Sequence, residues 1–298
     1  MVNLENAVVQ TIHLGSTANP FCIDILRLDA IHPVVSGNKW FKLRYYLQTA
    51  NEKGCTQLLT FGGAHSNHIV ATASAAKEMA MDSIGIIRGE APAHYSAALT
   101  DAQNMGMQLQ FVSRDAYAQK ESPHFITALQ TQNPNALLIP EGGSGPLGIA
   151  GAATILQTID TRPYTHIACA MGTGTMLAGL AINLLPHQQL IGIPVLKGFN
   201  QWLATQTILN PQLLHQVHLY HNYHFGGYAK KNERLIHFMN QLYQQTGLPT
   251  DFVYTAKLLY AVIDLFEHEI LLPSHRLLVV HSGGLQGNRS LPKGLLAY

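Results

Sequence analysis

Two lysines three residues apart, each beside an aromatic ring, open the chemistry of this chain: Lys39, Trp40, Phe41 and Lys42 in the stretch SGNKWFKLRY (36–45). An ammonium group held among apolar neighbours loses hydration, its pKa falls, and the free amine can attack a carbonyl to form a Schiff base. The same spacing also suits two helix-surface lysines whose stems lie over the rings while the charges stay in water. Three more Gly-containing turns carry polar groups: FGGAHSNH (61–68), MGTGTMLAG (171–179) and HSGG (281–284). In the second, Gly172 and Gly174 let the backbone curl while Thr173 and Thr175 add hydroxyl donors where a helix begins, which is the composition of a phosphate cup. A plain Thr-capped helix start has the same letters.

Other chemistries fit less well. No Gly-Lys-Ser/Thr follows GTGT, so it is not a Walker loop, and Leu177 stands where a dinucleotide fingerprint needs its third glycine. His65 and His68 flank Ser66, as in a Ser–His hydrolase, but no GxSxG elbow surrounds them. His215, His218, His221 and His224 recur every three residues and could be read as metal ligands. Part of that run reads as a strand, where a spacing of three sends successive rings to opposite faces, so no metal site is expected.

These turns need rigid elements behind them. Short β-branched or Leu-rich runs at 57–61, 83–87, 108–112, 136–139, 165–170, 190–193 and 277–281 alternate with segments of helical period, among them 66–81 and 96–104. That alternation predicts βα units, a mostly parallel sheet and an α/β fold. Three of the four turns directly follow a predicted strand, where ligands of open α/β sheets bind. The Gly-rich stretch EGGSGPLGIAG (141–151) marks a seam, after which a second set of βα units starts.

A chain of 298 residues is long enough for two compact domains or one large one. Charged residues make up 12%, against about 25% in ordinary domains, which favours surface hidden in an oligomer. The net charge is +1 without a basic run, so the phosphate-neutralising patch that nucleic-acid binding requires is missing. No stretch approaches the roughly 18 apolar residues of a membrane span, and no basic-then-apolar leader opens the chain; a cytoplasmic protein is expected. Cys22, Cys55 and Cys169 are odd in number and include no CxxC, which suits a reducing compartment.

Taken together and in order, SGNKWFKLRYYL, FGGAHSNHIVATASAA, IPEGGSGPLGIAG, GTGTMLAG, DFVYTAKLLYAV and VVHSGG resemble the family of D-cysteine desulfhydrases and 1-aminocyclopropane-1-carboxylate (ACC) deaminases over nearly the whole chain. The resemblance implies a tryptophan-synthase-β-like fold (pyridoxal-phosphate fold type II) with helices on both faces of its sheets. It implies a large cofactor-binding domain, 1–45 plus 152–298, and a small domain, 46–151. It also implies pyridoxal 5′-phosphate as cofactor, a small amino acid as substrate, and a homodimer. Lys39 then carries the cofactor, Lys42 is its basic neighbour, and Ser66 and Tyr254 are the further catalytic residues. Asn67, Gly172, Thr173, Gly174, Thr175, Thr255 and Ser282 become cofactor contacts, and Arg27 and Asp29 structural support. ACC deaminases carry a glutamate directly after the tyrosine, where this chain has Thr255. A hydroxyl cannot hold the pyridine nitrogen protonated, which favours β-elimination from D-cysteine over ring opening of ACC. A second family tyrosine is expected near 223–228, where the ungapped match falls on Phe225. A cofactor-storing protein would need Lys39 and the phosphate cup but neither Ser66 nor Tyr254.

Overall fold

The computed structural model describes residues 2–15, 20–199 and 211–298. Among the described residues ten strands form two sheets: β1 (Val9–Gly15), β2 (Pro20–Arg27), β3 (Gln57–Gly62), β4 (Asp82–Arg88), β5 (Met107–Val112), β6 (Ala136–Ile139), β7 (His166–Met171), β8 (Gln189–Pro194), β9 (Val217–Leu219) and β10 (Leu277–His281). The smaller sheet has the order β5-β4-β3-β6 and is parallel throughout. The larger has the order β1-β2-β10-β7-β8-β9 and is parallel except for the antiparallel β1–β2 pair at its edge. The α/β class and the mostly parallel sheets thus match the expectation.

The described residues also form ten α-helices: α1 (Asn38–Glu52), α2 (Asn67–Glu78), α3 (Ala97–Asn104), α4 (Arg114–Ala118), α5 (Pro123–Gln132), α6 (Pro146–Ala153), α7 (Thr175–Ile182), α8 (Pro211–His215), α9 (Glu233–Thr246) and α10 (Thr255–Glu267). Ser66 and Ser96 stand just outside α2 and α3 as N-caps, each accepting from the backbone N–H three residues on, so those helices begin one residue later than the apolar period suggests. No helix among the described residues is long and apolar enough to cross a membrane.

Parallel strands buried on both faces need helices on both sides, and the core follows that rule. Ile23, Ile25, Ile191, Ile193 and Val279 pack against Leu258, Leu259 and Val262 of α10 on one face of the larger sheet. Leu26, Ile167, Leu278 and Val280 pack against Phe41 of α1 and Met176, Leu177 and Leu180 of α7 on the other. Two residues beyond Phe41, α1 changes partners: Leu43, Tyr46, Leu47 and Ala50 pack with Leu58, Ala71 and Ala75 of the smaller sheet's layer. Residues 46 and 151, the expected domain limits, therefore fall inside α1 and α6, where a helix is not divided. We propose that α1 belongs to both units, its first turn packed on the larger sheet and its later turns on the layer of the smaller one.

A charged group underlies the junction of β2 and β10. Arg27 donates to both oxygens of Asp29 at 2.8 and 2.7 Å, and His281 Nδ1 lies 3.0 Å from Asp29 Oδ1. Burial opposes ionisation of Asp29, but the Arg27 hydrogen bonds and the adjacent His281 outweigh it and hold the carboxyl well below its usual range. A folded-state pKa depressed in this way contributes stability above the unfolded carboxylate's range and loses it as pH falls. Asp29→Ala would leave Arg27 without its carboxylate in a half-buried site, and denaturant unfolding is expected to show a loss of about 3–5 kcal/mol at neutral pH, shrinking under acid.

Candidate active site

A cavity of about 450 Å³ lies where the turns after β3, β7 and β10 meet the start of α1. Lys39, Lys42, Ser66, Asn67, Gly172, Thr173, Gly174, Tyr254 and Ser282 all line it. Thr175 touches it indirectly through Thr173, and Thr255 does not line it.

Lys39 is placed by backbone geometry. Gly37, at φ +64°, precedes α1, and its N–H donates to Leu28 O at 2.7 Å. The N–H of Asn38 donates to Ser282 O at 3.2 Å, and a Cβ at position 37 would sit 1.9 Å from that oxygen. Only glycine fits there, both for space and for φ. The contact lays the first turn of α1 on the end of β10, and Lys39 Nζ then donates to Asn38 Oδ1 at 2.9 Å and lies 5.8 Å from the centre of the Tyr254 ring. Burial lowers its pKa to about 8, with Asp251 opposing the shift. Lys42, one turn further on, is driven well below the ordinary lysine value by burial and by the Lys39 charge.

The turn after β7 forms a donor cup. Gly174 takes the left-handed conformation before α7, no side chain caps that helix, and its first residues Thr175, Met176 and Leu177 are buried. Thr173 and Thr175 share a hydroxyl hydrogen bond of 2.9 Å. A helix start leaves its first amide N–H groups without intrahelical acceptors, so a buried, uncapped one calls for an anion. Opposite it, Ser66 Oγ accepts from Ile69 N at 3.3 Å, which leaves the hydroxyl proton free for the cavity.

Thr60 and His68 fix a tautomer that sequence cannot show. The Thr60 hydroxyl donates to Ile139 O at 2.9 Å, so at its 2.8 Å contact with His68 Nε2 the ring must be the donor. Nδ1 is left as a buried acceptor without a partner, on a residue that lines the cavity. Burial and the charges of Lys39 and Lys42 push this histidine down to about 3, so it is neutral at working pH.

Tyr228 meets the Tyr254 ring edge-on at 6.2 Å and also lines the cavity, and burial together with the nearby Tyr228 holds the Tyr254 phenol well above its usual value. The match of the second tyrosine to Phe225 is therefore corrected: Phe225 packs edge-on against Tyr260, away from the cavity, and Tyr228 occupies the place expected of a tyrosine. Phe225, Gly226, Gly227 and Ala229 all have positive φ, in the turn that carries Tyr228.

Thr255 lies differently from its expected place. Its hydroxyl donates to Asp251 Oδ1 at 2.8 Å and accepts from Asp251 N at 2.7 Å, and its own N–H donates to Oδ1. Asp251 Oδ2 accepts from the N–H groups of Val253 and Tyr254, both at 2.9 Å. Every oxygen of that buried carboxylate is thus committed to shaping the start of α10. Of the expected ring-nitrogen partners, Ser282 is the one whose side chain reaches the cavity wall.

The histidine run spreads over three elements: His215 ends α8, His218 is the middle of β9 and bonds Gln189 at 2.8 Å, and His221 opens a short 3₁₀ turn. His224 Nδ1 accepts from Gly226 N at 2.9 Å. Among the described residues no group of three or more His, Cys, Asp or Glu is placed to hold a metal ion.

Comparison with known proteins places this geometry. The family model for pyridoxal-phosphate dependent enzymes matches residues 25–283. D-cysteine desulfhydrase of Klebsiella pneumoniae is 28% identical over 295 residues, covering 91% of this chain and 88% of that protein. A crystal structure described as an ACC deaminase homologue superposes with a TM-score of 0.78 at 26% identity, covering 96% of this chain and 92% of the other. Serine racemase from Dictyostelium discoideum, at 15% identity and a TM-score of 0.65, covers 89% of this chain and 87% of its own and shares the fold.

Only the neutral amine of Lys39 can condense with an aldehyde. Uptake of pyridoxal phosphate by the cofactor-free protein, followed by visible absorbance, is expected to accelerate with pH, with the midpoint of the rise near pH 8. A rate flat from about pH 6 to 10 would show that Lys39 keeps no such titration.

Proposed function

The chain belongs to the family of pyridoxal-phosphate dependent enzymes, and from that membership we propose that it is a lyase acting on a small amino acid, with D-cysteine as substrate. Water is consumed, and pyruvate, ammonia and hydrogen sulfide are the products.

The residues present fit the cofactor. The uncapped start of α7 with Thr173 and Thr175 supplies donors for a phosphate, and Lys42 adds a cation close by. Lys39 offers an amine of lowered pKa, Asn67 a side-chain amide, and Ser282 a hydroxyl on the β10 side. When bound, the cofactor supplies a conjugated ring that withdraws electrons from the substrate's α-carbon.

The observation that carries the choice of reaction is the commitment of Asp251. With that carboxylate consumed by three N–H groups and the Thr255 hydroxyl, the β10 side of the cavity presents Ser282 and no free carboxylate. A hydroxyl leaves the pyridine nitrogen unprotonated and the ring a weaker electron sink, which suits a reaction whose electrons pass at once to a leaving group.

The protein's part follows from its geometry. The Lys39 amine takes the α-proton, and the electron pair left at Cα forms a double bond to Cβ as the thiolate departs. Ser66 and the N-terminal amides of α2 hold the substrate carboxylate, since a helix start favours an anion. Tyr254, whose ring lies 5.8 Å from Lys39 Nζ and meets Tyr228 edge-on, is placed to pass a proton from its hydroxyl to the departing sulfur, with Tyr228 beside it. The enamine that leaves hydrolyses in water to pyruvate and ammonia. We further take the enzyme to be cytoplasmic, as its three free cysteines suggest, and homodimeric, as its low charge suggests.

The deciding experiment supplies the holoenzyme in turn with D-cysteine, L-cysteine and ACC and measures pyruvate, ammonia and sulfide. Pyruvate and sulfide in equal amounts from D-cysteine are expected. Ammonia and 2-oxobutanoate from ACC, with D-cysteine inert, would overturn the reading. Tyr254→Phe is expected to lower kcat by about 10²–10⁴-fold, as loss of a general acid does, with the visible band of the cofactor retained.

A further inference from the structure

Lys257 is a charged residue with no exposed surface, placed three residues after Tyr254 and therefore on the same side of the first turn of α10. Its ammonium forms no ion pair among the described residues. It donates instead to two backbone carbonyls, His224 O and Gly227 O, each at 2.8 Å. A buried ammonium spent on carbonyl oxygens is costly unless the backbone it holds matters.

That backbone is the turn that ends in Tyr228. Phe225, Gly226, Gly227 and Ala229 have φ of +51°, +95°, +122° and +52°, a conformation that costs two of these residues, Phe225 and Ala229, steric strain. The same two carbonyls also receive the turn's own N–H groups, His224 O from Gly227 and Gly227 O from Lys230, so Lys257 closes both rungs of the turn from beneath. One short helical segment thus carries Tyr254 directly and Tyr228 through the clamp.

We propose that Lys257 is a positioning residue for the reaction: by holding the carbonyls of His224 and Gly227 it locks the 224–229 turn and sets the Tyr228 ring edge-on against Tyr254. Its kinetic consequence rests on Tyr254, with Tyr228 beside it, passing the proton in the proposed elimination. The lock itself does not depend on that reading.

Lys257→Met keeps the length of the side chain and removes its donors. In the holoenzyme, amide hydrogen exchange across residues 225–230 is expected to speed up by about tenfold or more, as for a segment released from its anchor. With D-cysteine, kcat is expected to fall by about 10- to 100-fold with little change in KM, and to fall no further when Tyr228→Phe is already present. Gly227→Ala disturbs the turn without touching Lys257, since alanine does not adopt φ +122°, and should reproduce the same pattern if Lys257→Met folds poorly. Unchanged exchange in both variants, or losses that multiply with Tyr228→Phe, would overturn the proposal. If the unaltered enzyme leaves D-cysteine untouched, the substrate reading fails and the exchange result alone decides the lock.

Discussion

The hydrogen bond from Asn38 N to Ser282 O, made possible by the bare Cα of Gly37, is the contact on which the site depends. It fixes the helix that carries Lys39 and Lys42 to the end of the central strand, next to the turn that carries Ser282. Beneath it, Arg27, Asp29 and His281 tie the strands β2 and β10 together, and above it Phe41 anchors α1 in the core of the larger sheet. An amine whose reactivity comes from burial has to be held by backbone, because any freedom would let it swing out to water and regain its charge.

The cavity is electrostatically incomplete by itself. Burial lowers the pKa of Lys39, Lys42 and His68, and the two lysines each push down the groups beside them. An uncapped helix start faces the same space. Lys39, Lys42 and the helix start gain from an anion with several oxygens, and pyridoxal phosphate brings one. Ligand binding of this kind raises the stability of the folded state.

What could be read in the sequence was what is local. The βα alternation, the phosphate cup and the lysine turn each lie within a short run of residues, so their chemistry is visible in their letters. The β1–β2 edge was not, although in β2 Phe21, Ile23 and Ile25 alternate with Pro20, Cys22 and Asp24 as a strand requires. Tyr228 was missed because its place beside Tyr254 is made by a turn of positive-φ residues whose course the letters do not give. The Thr255 hydroxyl was assigned to the cofactor because its competitor, Asp251, comes close only once α10 is formed. The free nitrogen of His68 depends on Thr60 and Ile139, which belong to two other strands of the smaller sheet.

The central position of β10 sets an order on the making of the molecule. Asp24 pairs with Leu278 and Arg27 with His281, so the larger sheet cannot close until almost the whole chain has left the ribosome. The smaller sheet is drawn entirely from residues 57–139 and has no such wait. Until β10 arrives, the carbonyl of Ser282 that seats α1 is absent, and Lys39 remains an ordinary, protonated lysine. The burial that lowers the Lys39 pKa is therefore among the last features of the fold to form.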